Sequence, residues 1–169
     1  ESFADIYAEF QPTAHVFTGV GIIAGDKIDY QNNRLGKFQE MYTYIQIHAS
    51  DHLYINLFHT YSKLDADNKE VYSANLTDLR ISYQFDVQSY LKLSLVYSDV
   101  NRNPTNNPFY DTSQKDKGLS TQLIYAYKLN PQTVFFLGYS DNSYQDDDLT
   151  NLKQEQRTFF TKISYAWMP

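Results

Sequence analysis

The sequence has no cysteine, one tryptophan, six glycines and five prolines. Without cysteine there is no disulfide framework, no Cys-based zinc site and no thiol nucleophile. No segment approaches the roughly 18 consecutive apolar residues of a membrane-spanning helix. Positive charge is in the minority, 14 Lys and Arg against 20 Asp and Glu, for a net charge of −6. A general nucleic-acid binder would carry a basic footprint, so nucleic acid is not an expected partner. Sustained helical periodicity is missing. The opening Glu1-Ser2-Phe3-Ala4-Asp5 has neither the basic nor the apolar region of a signal peptide. The expectation is that a leader has been removed or that the chain starts inside a longer protein.

Aromatic residues are plentiful: 16 Tyr and 11 Phe in 169 residues. Disordered chains are poor in such residues, so a folded domain, or a piece of one, is expected. Apolar and polar residues alternate with period two, the signature of strands with two different faces. Leu91, Leu93, Leu95 and Tyr97 alternate with Lys92, Ser94, Val96 and Ser98; Leu79, Ile81, Tyr83 and Phe85 alternate with Arg80, Ser82, Gln84 and Asp86. Similar patterns place strands at about 2–10, 14–24, 38–49, 52–62, 72–86, 90–100, 118–129, 132–142 and 156–168. Short turns are expected at Gln11-Pro12-Thr13, Ser50-Asp51, Val87-Gln88-Ser89 and Asn130-Pro131-Gln132, and long polar loops at 25–37, 63–71, 101–117 and 143–155.

Short and long connections thus alternate. An up-and-down antiparallel meander with all tight turns at one end is the design of outer-membrane barrels, with short periplasmic turns and longer extracellular loops. The fold class expected is therefore all-β, a meander of about nine strands forming part of a transmembrane barrel. Tyr83, Phe85, Tyr127, Tyr165 and Trp167 mark an aromatic belt on the apolar face near the short turns; Tyr61, Tyr97, Tyr139 and Phe159 mark a second near the long loops. The opposite face, expected to line the lumen, carries Tyr44, Gln46, Asn56, Arg80, Gln84, Lys92, Gln122, Lys128 and Lys162, with Asp5 and Glu9. Several charges on an inner face suit a wet lumen and not a dry core. A soluble lipocalin-like ligand-binding barrel, apolar face inward, is the alternative that the alternation leaves open.

Chemistry-bearing motifs are few. Asp146-Asp147-Asp148, near Asp141 and Glu155, could offer oxygens to a hard cation, but lacks the EF-hand pattern and reads as a solvated acidic loop. Asp65-Ala66-Asp67-Asn68-Lys69-Glu70 reads as a polar turn. His15, His48, His52 and His59 form no ligand pair; His48 is expected on the lumen face and His59 on the lipid side. No nucleophile elbow, phosphate loop or dinucleotide fingerprint is present, so neither a catalytic constellation nor a cofactor is identifiable. Gly19 and Gly21 mark a bend or close approach. Tyr42, Tyr44 and Tyr54 with Gln46 and Asn56 offer rings and amides that suit a saccharide, or simply pack against neighbouring strands.

A resemblance adds to this reading. Leu129-Asn130-Pro131-Gln132-Thr133-Val134-Phe135-Phe136-Leu137-Gly138-Tyr139-Ser140 is followed by Arg157-Thr158-Phe159-Phe160-Thr161-Lys162-Ile163-Ser164-Tyr165-Ala166-Trp167. Upstream lie Gly25-Asp26-Lys27-Ile28-Asp29-Tyr30 and Leu79-Arg80-Ile81-Ser82-Tyr83-Gln84-Phe85. Together they resemble the C-terminal barrel of a bacterial family of unknown function whose members place a carbohydrate-binding-like domain (family nine type) before a large outer-membrane barrel. The ending resembles the signal read by the barrel-assembly machinery, although Met168 and Pro169 follow Trp167. The resemblance implies a Gram-negative outer-membrane location and a missing upstream part, with the lipid bilayer as partner. The roles it leaves open are a pore, a saccharide transporter or an anchor for the upstream domain. Strand parity points the same way, because bacterial single-chain barrels have even strand counts. The competing reading drops 2–10 and closes 14–168 as eight strands; the Pro12 turn and the alternation in 2–10 argue against it.

Overall fold

The computed structural model describes residues 2–107, 113–130 and 132–166. They form one nine-stranded antiparallel sheet in chain order. Its strands are β1 (Phe3–Thr13), β2 (Val16–Asp29), β3 (Arg34–His48), β4 (Leu53–Ala66), β5 (Lys69–Gln84), β6 (Ser89–Arg102), β7 (Lys115–Asn130), β8 (Thr133–Gln145) and β9 (Lys153–Tyr165). A single 3-10 turn, Pro104–Asn106, follows β6 among the described residues. β1 and β9 are the two edges of the sheet, and neither has a second neighbour there.

The register keeps one set of side chains on one face throughout. Val16, Ile47, Ile55, Ile81, Leu93, Leu123, Tyr139 and Phe159 form a continuous cross-strand row from β2 to β9. The next row, one residue along, is Phe17, Gln46, Asn56, Arg80, Ser94, Gln122, Ser140 and Thr158. Side chains alternate across a strand, so a slip of one residue would exchange the two rows wholesale.

Among the described residues no conventional core lies beneath either face. The buried apolar residues are Leu64, Ala66, Val71 and Ala126, and the first three cluster with Phe38 and Tyr72 at the long-loop end. On the apolar face Ile6 is 76% exposed, Phe159 74% and Ile163 70%. A water-soluble sheet buries such a face against a second layer. Four clefts of about 330 to 510 Å3 open on the polar face instead, which is the inverse of a lipocalin-like cup.

Three local expectations are corrected. The segments at 25–37 and 63–71 are not long loops: β2 and β3 run on to a four-residue turn at 30–33, and β4 and β5 to Asp67-Asn68. Both turn residues have positive φ, 53° and 59°, the conformation of a tight two-residue hairpin that Asp and Asn tolerate. Their polar side chains do not end the strands because they pair with each other across them. The long connections that remain are 103–114 and 146–152. Lastly, Pro12 does not sit in a turn. It lies within β1 at a register shift between Phe10 and Thr13, and such an irregularity in the ladder accommodates a residue without an N–H. β1 pairs with β2 from Phe3 to Thr13, so the sheet has nine strands and not eight.

Candidate functional site

The polar face carries the candidate site. Tyr44, Gln46, Asn56, Arg80, Gln84, Lys92, Gln122, Lys128 and Lys162 all share it, as the cross-strand register shows. Near β1 the surface is aromatic. The Tyr44 ring lies over Gly19, where an added Cβ would come within 2.6 Å of it, and the Tyr42 ring covers Gly21 in the same way. Glycine lets both rings lie down against the neighbouring backbone, and a larger residue would push them aside. Phe17 flanks Tyr44 at 5.8 Å and Phe58 stacks on Tyr42 at 6.4 Å. The Tyr44 hydroxyl donates to the Glu9 carboxylate. Beside this shelf is a cleft of about 390 Å3 bounded by Phe17, Tyr44, Phe58, Gln46, Asn56, Asp78 and Arg80. Arg80 donates from Nε and Nη2 to the two Asp78 oxygens, at 3.0 and 2.7 Å.

A second cleft of about 510 Å3 adjoins the first through Asn56 and Arg80 and adds Tyr54, Ser82, Lys92, Ser94 and Gln122. A third, of about 330 Å3, shares Tyr54, Ser82 and Lys92 and reaches Tyr90, His48 and Lys128 at the short-turn end. His48 packs on Tyr54 at 4.8 Å. His59 lies on the other face, with its Nδ1 2.9 Å from the Thr77 hydroxyl.

At the long-loop end the polar face is fastened by a network that sequence reading missed. Arg34 donates to Asp29 at 3.0 Å, to Asp67 at 2.7 Å and to the Asn106 side chain at 2.9 Å. The Asn106 amide donates to the carbonyls of Ala66, Lys69 and Glu70, and that of Asn107 to Val71. Asn32 bridges Asp29 and Asn107. Three connections, 30–33, 67–68 and 103–107, are thus tied together. Burial pushes the Asp29 carboxyl up, but hydrogen bonds from Asn32 and Arg34 outweigh it and hold it below its ordinary value. The only advance signal was the Asn-rich run from Asn101 to Asn107, whose partners are remote in sequence.

The apolar face carries Tyr61, Tyr83, Tyr97, Tyr127, Tyr139 and Tyr165. Near the short turns Tyr83, Phe85 and Tyr125 form a chain of edge contacts at 4.9 and 6.3 Å. Tyr125 was not singled out in sequence, though it completes this row. Tyr139 and Phe159 meet at 4.8 Å toward the other end. Leu91 and Tyr97 stand about 20 Å apart along β6, at about 3.4 Å per residue. Past the second aromatic row come ion pairs: Lys63–Asp65 and Lys117–Asp99 at 2.9 Å, Arg157–Asp141 at 3.1 Å, and Lys37–Asp26. Trp167 lies outside the described residues.

The acidic run is used locally. Asp147 accepts from the backbone N–H groups of Gln114 and Lys115, and Asp146 from that of Asp148. Among the described residues no three His, Asp or Glu side chains converge as a metal site.

No family model matches the chain, and no curated protein matches its sequence. Solved structures do. The outer membrane channel DcaP of Acinetobacter baumannii superposes with a TM-score of 0.63 at 9% identity, over 96% of this chain and 54% of that one. OmpT, an outer membrane protein of Vibrio cholerae, superposes with a TM-score of 0.56 at 11% identity, over 98% of this chain and 55% of that one. The fold is that of outer-membrane β-barrels. The chain spans about half the length of these two structures.

Proposed function

We propose that this chain forms about half of the wall of a pore in the outer membrane of a Gram-negative bacterium. The observation that carries the reading is the sheet's two-sidedness. One face is apolar, edged by aromatic rows and then by ion pairs; the other is polar and holds the clefts of about 330, 390 and 510 Å3 that run along the strands. Lipid takes the place of a second protein layer on the first face, and water fills the second.

The free edges support a larger wall. Unpaired strand edges in lipid cost several kcal/mol per unsatisfied group, on the order of the figure for any buried polar group. β1 and β9 run in the same direction, so joining them directly would require a parallel pair. An antiparallel wall needs an odd number of added strands. Nine strands over 54% of a neighbour's length scale to about 16 in all, within the even-numbered porin range. The remaining strands come from another part of the same polypeptide, and β9 is the strand that the barrel-assembly machinery reads.

The aromatic shelf with Gln46 and Asn56 suits a saccharide as the solute, with rings against sugar C–H faces and amides on hydroxyls. Tethering of an upstream carbohydrate-binding-like domain rests on the resemblance of the motif residues alone. The test is single-channel recording of the complete barrel protein in planar bilayers. Stepwise, ohmic conductance is the expected result; a silent, heat-modifiable barrel would overturn the pore.

A further inference from the structure

We infer that the trough along the polar face accepts an acidic saccharide, a sugar bearing carboxylate groups, and not a neutral one. The inference rests on the pore reading and names its solute class.

The chain is acidic overall, and toward β1 the polar face keeps the carboxylates of Asp5 and Glu40, yet the free charge in the middle of the face, around Arg80 and Lys92, is basic. Its two central carboxylates are occupied: Glu9 by the Tyr44 hydroxyl and Asp78 by Arg80. Arg80 uses Nε and Nη2 for Asp78, which leaves Nη1 without a partner among the described residues. Lys92 and Lys128 form no ion pair among the described residues. Lys92 instead rests over the Tyr90 ring, 5.0 Å from its centre. No carboxylate lines the 510 Å3 cleft that holds Arg80 and Lys92.

The three clefts connect through shared residues, Asn56 and Arg80 between the first two, Tyr54, Ser82 and Lys92 between the second and third. A solute in this trough meets flat rings (Phe17, Tyr44, Phe58) at one end and, toward the other, the cations Arg80, Lys92 and Lys128, with the single carboxylate of Asp51 lining the third cleft. Rings bind the C–H face of a sugar whatever its charge. Two ammonium groups and a guanidinium edge make their strongest hydrogen bonds to an anion, where both partners are ionised. A neutral sugar would offer those cations only hydroxyl oxygens, which replace water without compensating the charge. A ligand that satisfies both ends is a short chain of uronate units.

The experiment uses the complete barrel protein in planar bilayers, with trigalacturonate and the neutral maltotriose as probes. Trigalacturonate is expected to interrupt the current at concentrations about tenfold or more below those of maltotriose. The Lys92→Gln, Lys128→Gln double variant, whose changes lie on an exposed face and leave the strands paired, is expected to lose that preference while still conducting. Phe58→Ala is expected to weaken block by both sugars. Equal block by the two probes in the unaltered protein overturns the inference. So does block by inorganic tripolyphosphate that matches trigalacturonate and ignores Phe58→Ala, since that describes a simple anion site. Absence of any conductance refutes the pore reading instead. In that case calorimetric titration of the detergent-solubilised protein with trigalacturonate still decides the trough. Saturable heat that disappears in the double variant supports it, and no heat overturns it.

Discussion

The Asp29 carboxylate and the Arg34 guanidinium lie 3.0 Å apart across the β2–β3 turn, with Asp29 only 4% exposed and Arg34 21%. Arg34 reaches on to Asp67 and to Asn106, so one guanidinium fastens three connections. Arg34→Ala leaves a nearly buried carboxylate without its cation. The expected cost is about 2 kcal/mol locally, below the range for a fully buried pair because Arg34 is partly solvated. Hydrogen exchange checks it. Amides in 29–34 and 103–107 should exchange roughly thirtyfold faster, with the strands β5 to β7 unchanged.

The same fastening depends on pH in one direction. The folded-state pKa of Asp29 is lowered from 3.8. The bound state therefore prefers the carboxylate, and its contribution is fully present above the ordinary value. It is lost as pH falls through the lowered value, while Arg34 stays charged throughout. Protection of the 103–107 amides, corrected for intrinsic exchange, should be flat from about pH 8 to pH 5 and fall below about pH 4.

Gly19 lies under the Tyr44 ring, with an added Cβ placed 2.6 Å from it, whereas a Cβ at Gly118 would meet only the Ser98 hydroxyl at 2.9 Å. Gly19→Val should destabilise the barrel by about 1–3 kcal/mol through overpacking. Gly118→Ala should cost less, because a hydroxyl can rotate away. Urea unfolding in detergent separates the two.

Asn68 holds a φ of 59° in the β4–β5 hairpin. Asn68→Gly should be tolerated, since glycine adopts positive φ freely. Asn68→Val should cost about 1–2 kcal/mol, read as a lower unfolding midpoint in the same assay.

The alternation of Leu91, Leu93 and Leu95 with Lys92 and Ser94 was enough to assign both faces of β6, and the same holds for β3 to β8. Strand ends were less legible. A polar run such as Lys63-Leu64-Asp65 looks like loop when read alone. Only the cross-strand neighbours Glu70 and Lys37 show why it stays extended. Pro12 looked like a turn because its tolerance depends on the register shift between β1 and β2, which is a property of the sheet. The Arg34 network could not be read at all, since its members are up to 75 residues apart. Tyr42 and Tyr44 could be placed on one face with Gln46 from the alternation alone, but their resting over Gly21 and Gly19 depends on register.

The central claim is that the sheet separates lipid from water, and these 169 residues hold no cysteine to compete with a label introduced into the sheet. Each position from Leu91 to Tyr97 is replaced in turn by cysteine in the complete barrel protein, spin-labelled and reconstituted in bilayers. Accessibility is then measured to oxygen, which partitions into lipid, and to a water-soluble nickel chelate. The account predicts strict alternation: oxygen at 91, 93, 95 and 97, nickel at 92, 94 and 96, including Val96 despite its apolar side chain. Uniform nickel accessibility, or the opposite phase, would contradict it.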